Sequence, residues 1–402
     1  MQRKIAYEIL LASFKDGQYA NLGLKNRLKE LKPIHRGFVT ELVNGVLRNY
    51  YLLEYQFRDY IKQDTKTELK LLMAMSVYER FYLGKDDYVA VNEYVNLAQS
   101  KSEKSLLNAV LRKIDTFKEV DENSLEDISI KYSLPLWIVK MLNKQYDEEM
   151  FSFLINDLKE EPEVYYHLNH HKANYSDLNI DGINRIDEDI FSSSHSLVNE
   201  KSFKEGLYYV QDYNSSKIVK MLDLKPESVF LDVCSAPGSK LFNALDVVKG
   251  ENAYANDLHV HRINLIKSKA RQLGFEDIHY LNENATKGFI EYQNFFDRIL
   301  LDVPCSGLGV LKRKPDLRYH IKPEDIDDIV KLQEMILDNT AKLLKVSGIM
   351  VYSTCTINTK ENRKQVDKFL SKHPEFILIE DKMLMERKDS DRFYAAKLLK
   401  LK

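Results

Sequence analysis

The sequence contains little cysteine, little tryptophan and no long apolar run. Three cysteines and one tryptophan occur among 402 residues. Three cysteines without regular close spacing argue against a disulfide framework and against a zinc ribbon. No apolar stretch approaches the roughly 18 residues that a membrane span needs, and residues 1–7 lack the apolar core of a signal peptide. We therefore expect a cytoplasmic protein with no membrane partner and no metal site.

Net charge is also small. The chain carries 59 Lys and Arg against 61 Asp and Glu, for a formal net charge of -2. This balance gives no support to nucleic-acid binding, so any RNA contact must depend on a local basic face. Hydrophobic residues at 44% and charged residues at 30% fit a globular protein. The length predicts about two or three domains.

Hydrophobic periodicity changes along the chain. Up to about residue 140 the apolar residues recur at helical spacing, as in Phe38–Leu47 and Leu106–Leu111, which predicts an all-helical N-terminal domain. Residues 141–205 contain one clear helix, around Tyr146–Leu158, and mixed short elements. From about residue 206 strands and helices alternate, which predicts a parallel sheet covered on both faces.

Candidate elements of the C-terminal domain can be placed from this alternation. The strand candidates are Ser228–Cys234, Asn252–Asp257, Ile278–Asn282, Arg298–Val303, Ile349–Thr354 and Phe376–Glu380. The helix candidates between them are Lys240–Val248, His261–Leu273, Pro323–Leu344 and Lys360–Lys372.

Three features at the carboxyl ends of these strands indicate a nucleotide-like ligand, since open α/β sheets bind ligands there. Ser235–Gly238 forms a tight turn into a helix, where a glycine lets the backbone approach a ligand. Asp257 ends the next strand and could accept hydrogen bonds from ribose hydroxyls, and Asn284 follows the third strand, where an adenine edge could be recognised. No G-x-G-x-x-G occurs, which disfavours a nicotinamide or flavin. The set favours a compact nucleoside cofactor such as S-adenosylmethionine.

Two cysteines follow neighbouring strand candidates. Cys305 and Cys355 would lie at the same edge of a parallel sheet, with Asp302 three residues before the first. Two thiols in one pocket suit methylation of carbon 5 of a cytosine, in which a thiolate adds to carbon 6 and activates carbon 5. Asp302 could hydrogen-bond the base. A lone buried cysteine is usually inert packing, and a redox pair stays open as an alternative.

A local basic cluster follows the first of these cysteines. Its members are Lys312, Arg313, Lys314 and Arg318. Two interpretations stay open: a solvated loop, or phosphate contacts beside the target base.

These segments resemble the RNA 5-methylcytosine methyltransferases, specifically the RsmB/Sun family that modifies small-subunit ribosomal RNA. The similar segments are the cofactor loop Cys234–Lys240, the Asp-x-Pro-Cys-Ser segment Asp302–Gly307, the second cysteine segment Tyr352–Thr356, and the flanking segments Gly309–Asp316 and Asp391–Lys397. The segments Phe38–Arg48, Val91–Glu93 and Asn108–Arg112 resemble the NusB-type helical RNA-binding module fused to this family.

This resemblance implies an architecture. Residues 1–140 would form a NusB-like all-α bundle, residues 141–205 a small α+β segment that contacts RNA, and residues 206–402 a Rossmann-like S-adenosylmethionine-dependent catalytic domain. The implied partner is 16S ribosomal RNA, and we expect the chain to act as a monomer.

The resemblance also implies residue roles. Cys355 would be the nucleophile, Cys305 would assist product release, and Asp302 would orient the base. The residues that would hold S-adenosylmethionine are Cys234, Ser235, Ala236, Pro237, Gly238, Ser239, Lys240, Asp257, Asn284 and Asp302. Several positions depart from the family pattern. Ser239 replaces the usual second glycine, Leu241 follows where a small polar residue is common, Asn284 stands where an aspartate is frequent, and the segment 165–170 lacks the usual arginine before its Asn.

Alternative functions are a non-catalytic RNA-binding or ribosome-assembly factor, and the same chemistry on another RNA such as tRNA. An adenine or exocyclic-amine methyltransferase is disfavoured, because such enzymes need no thiol and usually carry prolines and an aromatic after the strand-end Asp. In this sequence Asp302 is followed by Val-Pro-Cys.

Overall fold

The structure is a computed structural model that describes residues 1–158, 160 and 162–402. Its helices are α1 (Gln2–Asp16), α2 (Ala20–Arg27), α3 (Pro33–Phe57), α4 (Thr67–Phe81), α5 (Asp87–Leu97), α6 (Lys101–Leu111), α7 (Leu125–Lys131), α8 (Leu136–Gln145), α9 (Glu148–Asp157), α10 (Lys201–Lys204), α11 (Tyr213–Lys220), α12 (Ser239–Ala244), α13 (Val260–Leu273), α14 (Leu317–His320), α15 (Pro323–Thr340) and α16 (Arg363–Lys372). Its strands are β1 (Val164–Leu168), β2 (Ile183–Arg185), β3 (Ile190–Ser193), β4 (Tyr208–Val210), β5 (Phe230–Asp232), β6 (Ala253–Asn256), β7 (His279–Leu281), β8 (Phe296–Asp302), β9 (Leu344–Thr354), β10 (Phe376–Leu384) and β11 (Phe393–Lys400). Within the described residues, no helix has the length and apolar character needed to cross a membrane.

The chain divides into two compact units. The helical unit comprises Met1–Lys159 and Leu311–Lys322, and the sheet unit comprises Glu160–Val310 and Pro323–Lys402. The boundary expected near residue 140 falls inside α8, so this division differs from the expected one. The three-part division by domain remains a prediction.

The N-terminal residues form helices around an apolar core that extends from Ile5 to Ile114, which confirms the all-helical expectation. Val39, Leu42 and Val46 recur at helical spacing on α3 and are fully buried. Gly45 lies where α3 approaches α4, and a Cβ there would come within 2.0 Å of Tyr78 Cζ. The Tyr78 ring therefore occupies the space that a side chain at position 45 would need.

Two of the four members of the basic cluster after Cys305 are buried within the helical unit. Lys312 is 2% exposed and pairs with Asp157 at 3.1 Å, and Arg318 is 1% exposed. Arg318 Nη1 donates to the carbonyl oxygens of Tyr132 and Ser133 at 3.1 and 3.2 Å. Both interpretations of the cluster are therefore wrong for Lys312 and Arg318, because their charges are used inside the fold and face neither solvent nor phosphate.

The large sheet of the sheet unit runs in the order β10-β11-β9-β8-β5-β6-β7. The pairs β9–β8, β8–β5, β5–β6 and β6–β7 are parallel. Alternate residues of these strands enter two cores: Ile263 and Ile266 of α13 pack on one side with Leu300, and Val366 and Phe369 of α16 on the other with Leu301. Helices thus cover both faces of the sheet, as the alternation predicted.

The sheet contains one strand, β11, that was not among the strand candidates. β11 lies between β9 and β10 and is antiparallel to both. The six strand candidates form strands β5 to β10. A separate antiparallel sheet of order β2-β3-β1-β4 accounts for the mixed elements of residues 164–210.

We expect Arg318→Met to destabilise the helical unit by about 2–4 kcal/mol, because buried carbonyls lose their charged donor. The control Lys314→Ala changes an exposed member of the same cluster and should shift stability by less than about 0.5 kcal/mol. Urea unfolding followed by the fluorescence of Trp137, the only tryptophan, measures both, since Trp137 lies on α8. Equally small effects in the two variants would show that Arg318 does not stabilise this unit.

Candidate active site

The two cysteines meet because their strands are parallel neighbours. Asp302 at the end of β8 lies opposite Ser353 near the end of β9. Cys305 and Cys355 follow these strand ends, and their sulfur atoms are 2.9 Å apart. All three cysteines of the chain are free thiols and partly exposed. The structure thus places the two thiols at one edge of the sheet, as the strand pattern predicted.

The two thiols are not equivalent. The hydrogen bond to Cys355, followed by burial, raises the pKa of Cys305 well above its ordinary value. The backbone N–H of Cys355 also donates to the sulfur of Cys305 at 3.2 Å. Cys305 therefore resists loss of its proton while its sulfur lies beside that of Cys355.

Asp302 is held by two donors. Its Oδ2 accepts from Lys240 Nζ at 2.7 Å, and its Oδ1 accepts from Ser353 Oγ at 3.0 Å. Burial opposes the charged form of Lys240, but Asp302 outweighs it, so the pKa of Lys240 lies above its ordinary value. Lys240 Nζ also lies 5.1 Å from the ring centroid of Phe393. Sequence reasoning placed Lys240 in the cofactor loop and missed this ion pair with the residue expected to orient the base.

The end of β5 and the loop after it contain polar groups that lack hydrogen-bond partners. Gly238 has φ 104°, in the left-handed region, and precedes α12. Burial, with the charge of Asp302, raises the pKa of Asp232 to about 7. Asp232 Oδ1 and Ser235 Oγ are both buried without a hydrogen-bond partner. Buried polar atoms are normally satisfied, so this loop fits a ligand that carries an ammonium group or other donors, as the amino-acid end of S-adenosylmethionine does.

The next two strand ends carry the other expected ligand residues. Asp257 follows β6 and is 3% exposed; its Oδ2 accepts from Arg262 at 3.2 Å and its Oδ1 from the His259 N–H at 3.1 Å. Asn284 follows β7, and its Oδ1 accepts from the N–H and the hydroxyl of Thr286. The amide nitrogen of Asn284 therefore remains the donor that it can offer to a base.

Asn256 connects these strand ends, although sequence reasoning missed it. Its Nδ2 donates to the carbonyls of Val233 and Glu283 at 2.9 and 3.1 Å, and its Oδ1 accepts from the Glu283 N–H. The loops after β5 and β7 are thereby fixed to β6. A polar residue within an apolar strand, next to Asp257, was the available signal.

Glu361 is a second residue that sequence reasoning missed. It is fully buried, and its carboxylate accepts the backbone N–H of Ser306, the residue after Cys305, at 2.8 Å. The only signal was its place six residues after Cys355. Among the described residues, no group of three His, Cys, Asp or Glu side chains is arranged to hold a metal ion.

The geometry therefore combines three chemical elements at one sheet edge. A thiol pair can supply a nucleophile and a proton carrier. Asp302, neutralised by Lys240, can hydrogen-bond a polar ring edge. The loop after β5 and the ends of β6 and β7 can hold a nucleoside-like ligand.

Comparison with known proteins gives two family matches. Residues 219–398 match the family described as 16S rRNA methyltransferase RsmB/F, and residues 1–116 match the NusB family. A Bacillus subtilis relative, described as probable ribosomal RNA small subunit methyltransferase B, is 33% identical over 93% of this chain and 89% of the relative. A Synechocystis relative with the same description is 29% identical over 93% and 90%. The crystal structure of PH0851 has a TM-score of 0.81 at 21% identity, with 99% of this chain and 98% of that chain covered, which shows a shared fold.

We expect Cys355→Ala to accelerate alkylation of Cys305 by iodoacetamide at pH 8. The hydrogen bond to Cys355 is the main cause of the raised pKa of Cys305, so its loss lowers that pKa and enlarges the thiolate fraction, by on the order of tenfold per pKa unit. Peptide mass spectrometry over a pH series measures the rate. Cys234, whose pKa is raised by burial, is the internal control. An unchanged alkylation profile of Cys305 relative to Cys234 would contradict the asymmetry.

Proposed function

The chain belongs to the 16S rRNA methyltransferase RsmB/F family, and from this premise we propose that it methylates carbon 5 of a cytosine in small-subunit ribosomal RNA through a covalent cysteine intermediate. Membership makes it an S-adenosylmethionine-dependent methyltransferase. The observation that carries the finer proposal is the pair of sulfurs 2.9 Å apart beside Asp302. Methyl transfer to a nitrogen or oxygen requires no thiol, whereas carbon 5 becomes nucleophilic only after a thiolate adds to carbon 6.

The thiols act in sequence in this proposal. The Cys355 thiolate forms a bond to carbon 6, and the electrons of the 5,6 double bond move towards carbon 5. Asp302 holds the polar edge of the ring while charge develops there. Bound S-adenosylmethionine supplies the electrophilic methyl group for carbon 5. A base then removes the carbon 5 proton, the double bond re-forms, and the sulfur of Cys355 leaves as a thiolate.

Cys305 is the base that we assign to the last step. Once Cys355 is bonded to carbon, it no longer carries the charge that stabilises the protonated form of Cys305. The pKa of Cys305 must then fall towards its ordinary value, so that it can lose its proton to solvent and take the carbon 5 proton. The same contact thus keeps Cys305 inactive at first and frees it when a base is needed.

We propose that the cofactor is held by the residues of the loop after β5 and the two following strand ends. The unpartnered Asp232 Oδ1 and Ser235 Oγ support a donor-bearing ligand at the loop Cys234–Lys240. Asp257 would accept from the ribose, and the Asn284 amide would face the adenine edge. Ser239 in place of glycine begins α12 and is compatible with this arrangement, because the left-handed turn falls on Gly238 instead.

For RNA binding we propose the helical unit. Its NusB-family match supports this role, and burial of Lys312 and Arg318 removes them as phosphate contacts. Exposed lysines in this unit, such as Lys25 on α2 and Lys29 and Lys32 before α3, are the phosphate contacts that we propose instead.

We expect Cys355→Ala to lower turnover by at least about a thousandfold, because the nucleophile is lost. Cofactor affinity should not change and serves as the control. Cys305→Ala should instead accumulate a covalent RNA adduct, visible on denaturing gels, because release lacks its base. Turnover by Cys355→Ala would refute its nucleophile role, and absence of the adduct would indicate exchanged roles or a structural thiol.

Bisulfite sequencing of small-subunit ribosomal RNA, from cells with and without this protein, tests the substrate. We expect one cytosine to lose protection when the protein is absent and to regain it with the wild-type chain but not with Cys355→Ala. If the methylation of ribosomal RNA is unchanged and methyl transfer to tRNA is observed, tRNA is the substrate instead. No methyl transfer to any RNA would favour the non-catalytic assembly factor.

A further inference from the structure

Glu361 is a fully buried carboxylate with a complete set of donors. Its Oε2 accepts from the backbone N–H of Ser306 at 2.8 Å and from Gln333 Nε2 at 3.2 Å. Its Oε1 accepts from Ser306 Oγ at 2.6 Å and from Asn358 Nδ2 at 3.0 Å. Hydrogen bonds to an ionised acceptor are stronger than those between neutral groups, so this set outweighs much of the cost of burying the charge.

The donors come from both cysteine-bearing loops. Ser306 directly follows Cys305, and Asn358 lies three residues after Cys355. The two loops also meet directly, since the hydroxyls of Ser306 and Thr356 are 2.7 Å apart. One carboxylate therefore joins the loop after β8 to the loop after β9.

Further bonds fix Glu361 and its donors in turn. Gln333 on α15 donates to the Pro304 carbonyl at 2.9 Å, just before Cys305. The hydroxyl of Tyr352 on β9 donates to the Glu361 carbonyl at 2.6 Å. The carboxylate is thus held to the sheet while it holds the loops.

We propose that Glu361 is a positioning residue, whose ionised carboxylate sets the placement of the two thiols relative to each other and so controls release of the methylated base. The effect on release of the methylated base rests on the proposed function. The placement of the two thiols by Glu361 does not depend on that function. Glu361 has no contact with the reacting atoms in this assignment and acts through Ser306 and Asn358.

The site requires a carboxylate rather than an amide. An amide has one oxygen and one NH2 group, so a glutamine would present its NH2 either to the Ser306 N–H or to the Asn358 amide. In the first orientation, the NH2 group would face the backbone N–H of Ser306, which cannot reorient. In the second orientation, the NH2 groups of the glutamine and of Asn358 would face each other, and both are donors. Either orientation leaves a buried donor unpaired and loosens a cysteine loop.

The charge of Glu361 also acts on Cys305. After the hydrogen bond to Cys355 and burial, the charges of Cys355 and Glu361 contribute to the raised pKa of Cys305. Loss of the Glu361 charge should therefore make Cys305 easier to ionise. Loosening of the loop should also make Cys305 easier to ionise. A residue that merely filled space would not produce this change.

The test compares Glu361→Gln with Glu79→Gln in the full chain. Glu79 is an equally buried glutamate in the helical unit, where it accepts from Arg3 and Tyr94, so it controls for placing a glutamine at a bonded, buried site. In Glu361→Gln we expect kcat to fall roughly ten- to hundredfold with little change in KM for RNA. We also expect covalent RNA adduct to accumulate and iodoacetamide alkylation of Cys305 to accelerate, with its pH profile moved to lower pH. Glu361→Asp, which keeps the charge, should recover the wild-type pH profile more than it recovers kcat.

Two results would overturn the proposal. One is a Glu361→Gln protein with normal circular dichroism, an unchanged Cys305 alkylation profile and unchanged kcat. The other is an equal loss in Glu361→Gln and Glu79→Gln, which indicates general destabilisation.

If Glu361→Gln does not fold, Ser306→Ala tests the proposal instead, because it removes one hydrogen-bond donor to Glu361. We expect Ser306→Ala also to accelerate alkylation of Cys305. No acceleration would refute the proposal. If the wild-type chain forms no RNA adduct, the proposed function fails separately, and the alkylation results alone decide the role of Glu361.

Discussion

The parallel pairing of β8 with β9 is the constraint on which the site depends. Because parallel strands end at the same edge, the pairing of Asp302 with Ser353 brings together residues about fifty positions apart in the chain. Side chains alternate between the two faces of a sheet, so a slip of one residue would move Asp302 away from Ser353 and Lys240 and would separate the two sulfurs. The positions of the reacting groups therefore depend on the register of these two strands as well as on the conformation of the loops that follow them.

Buried charge in both units is stabilised by defined partners. Lys240 pairs with Asp302, Lys312 with Asp157, and Glu361 accepts four hydrogen bonds. Such groups add little net stability compared with apolar residues, but removal of one partner is costly, so they favour one arrangement over others. Asp232 differs, because one of its oxygens lacks a partner and burial raises its pKa to about 7. Asp232 ends β5, just before the loop that we propose for the cofactor, where a ligand would supply the missing hydrogen-bond partner.

The sequence predicts the helical unit, strands β5 to β10 and the meeting of the cysteines, because each follows from local periodicity and from the shared edge of parallel strands. β11 could not be placed the same way. Its mainly apolar segment, Phe393–Lys400, contains no sequence signal of strand direction, and its antiparallel course depends on its pairing with both β9 and β10. The burial of Arg318 could not be predicted from the sequence either, since its acceptors are backbone carbonyls of residues far earlier in the chain. Glu361 stands among charged residues at the start of a helix, which is the ordinary pattern of an exposed surface.

The two thiols are chemically identical, but their surroundings differ. Lys240, a buried cation, interacts electrostatically with Cys355. The pKa of Cys305 is raised by the hydrogen bond to Cys355 and by burial, and the buried carboxylate of Glu361 adds to this effect. Over the 2.9 Å between the sulfurs, the contact with Cys355 opposes ionisation of Cys305. In the mechanism that we propose, Cys305 therefore keeps its proton while Cys355 attacks the base. That opposition would end once Cys355 is bonded to carbon, so the order of the two proposed steps would follow from electrostatics.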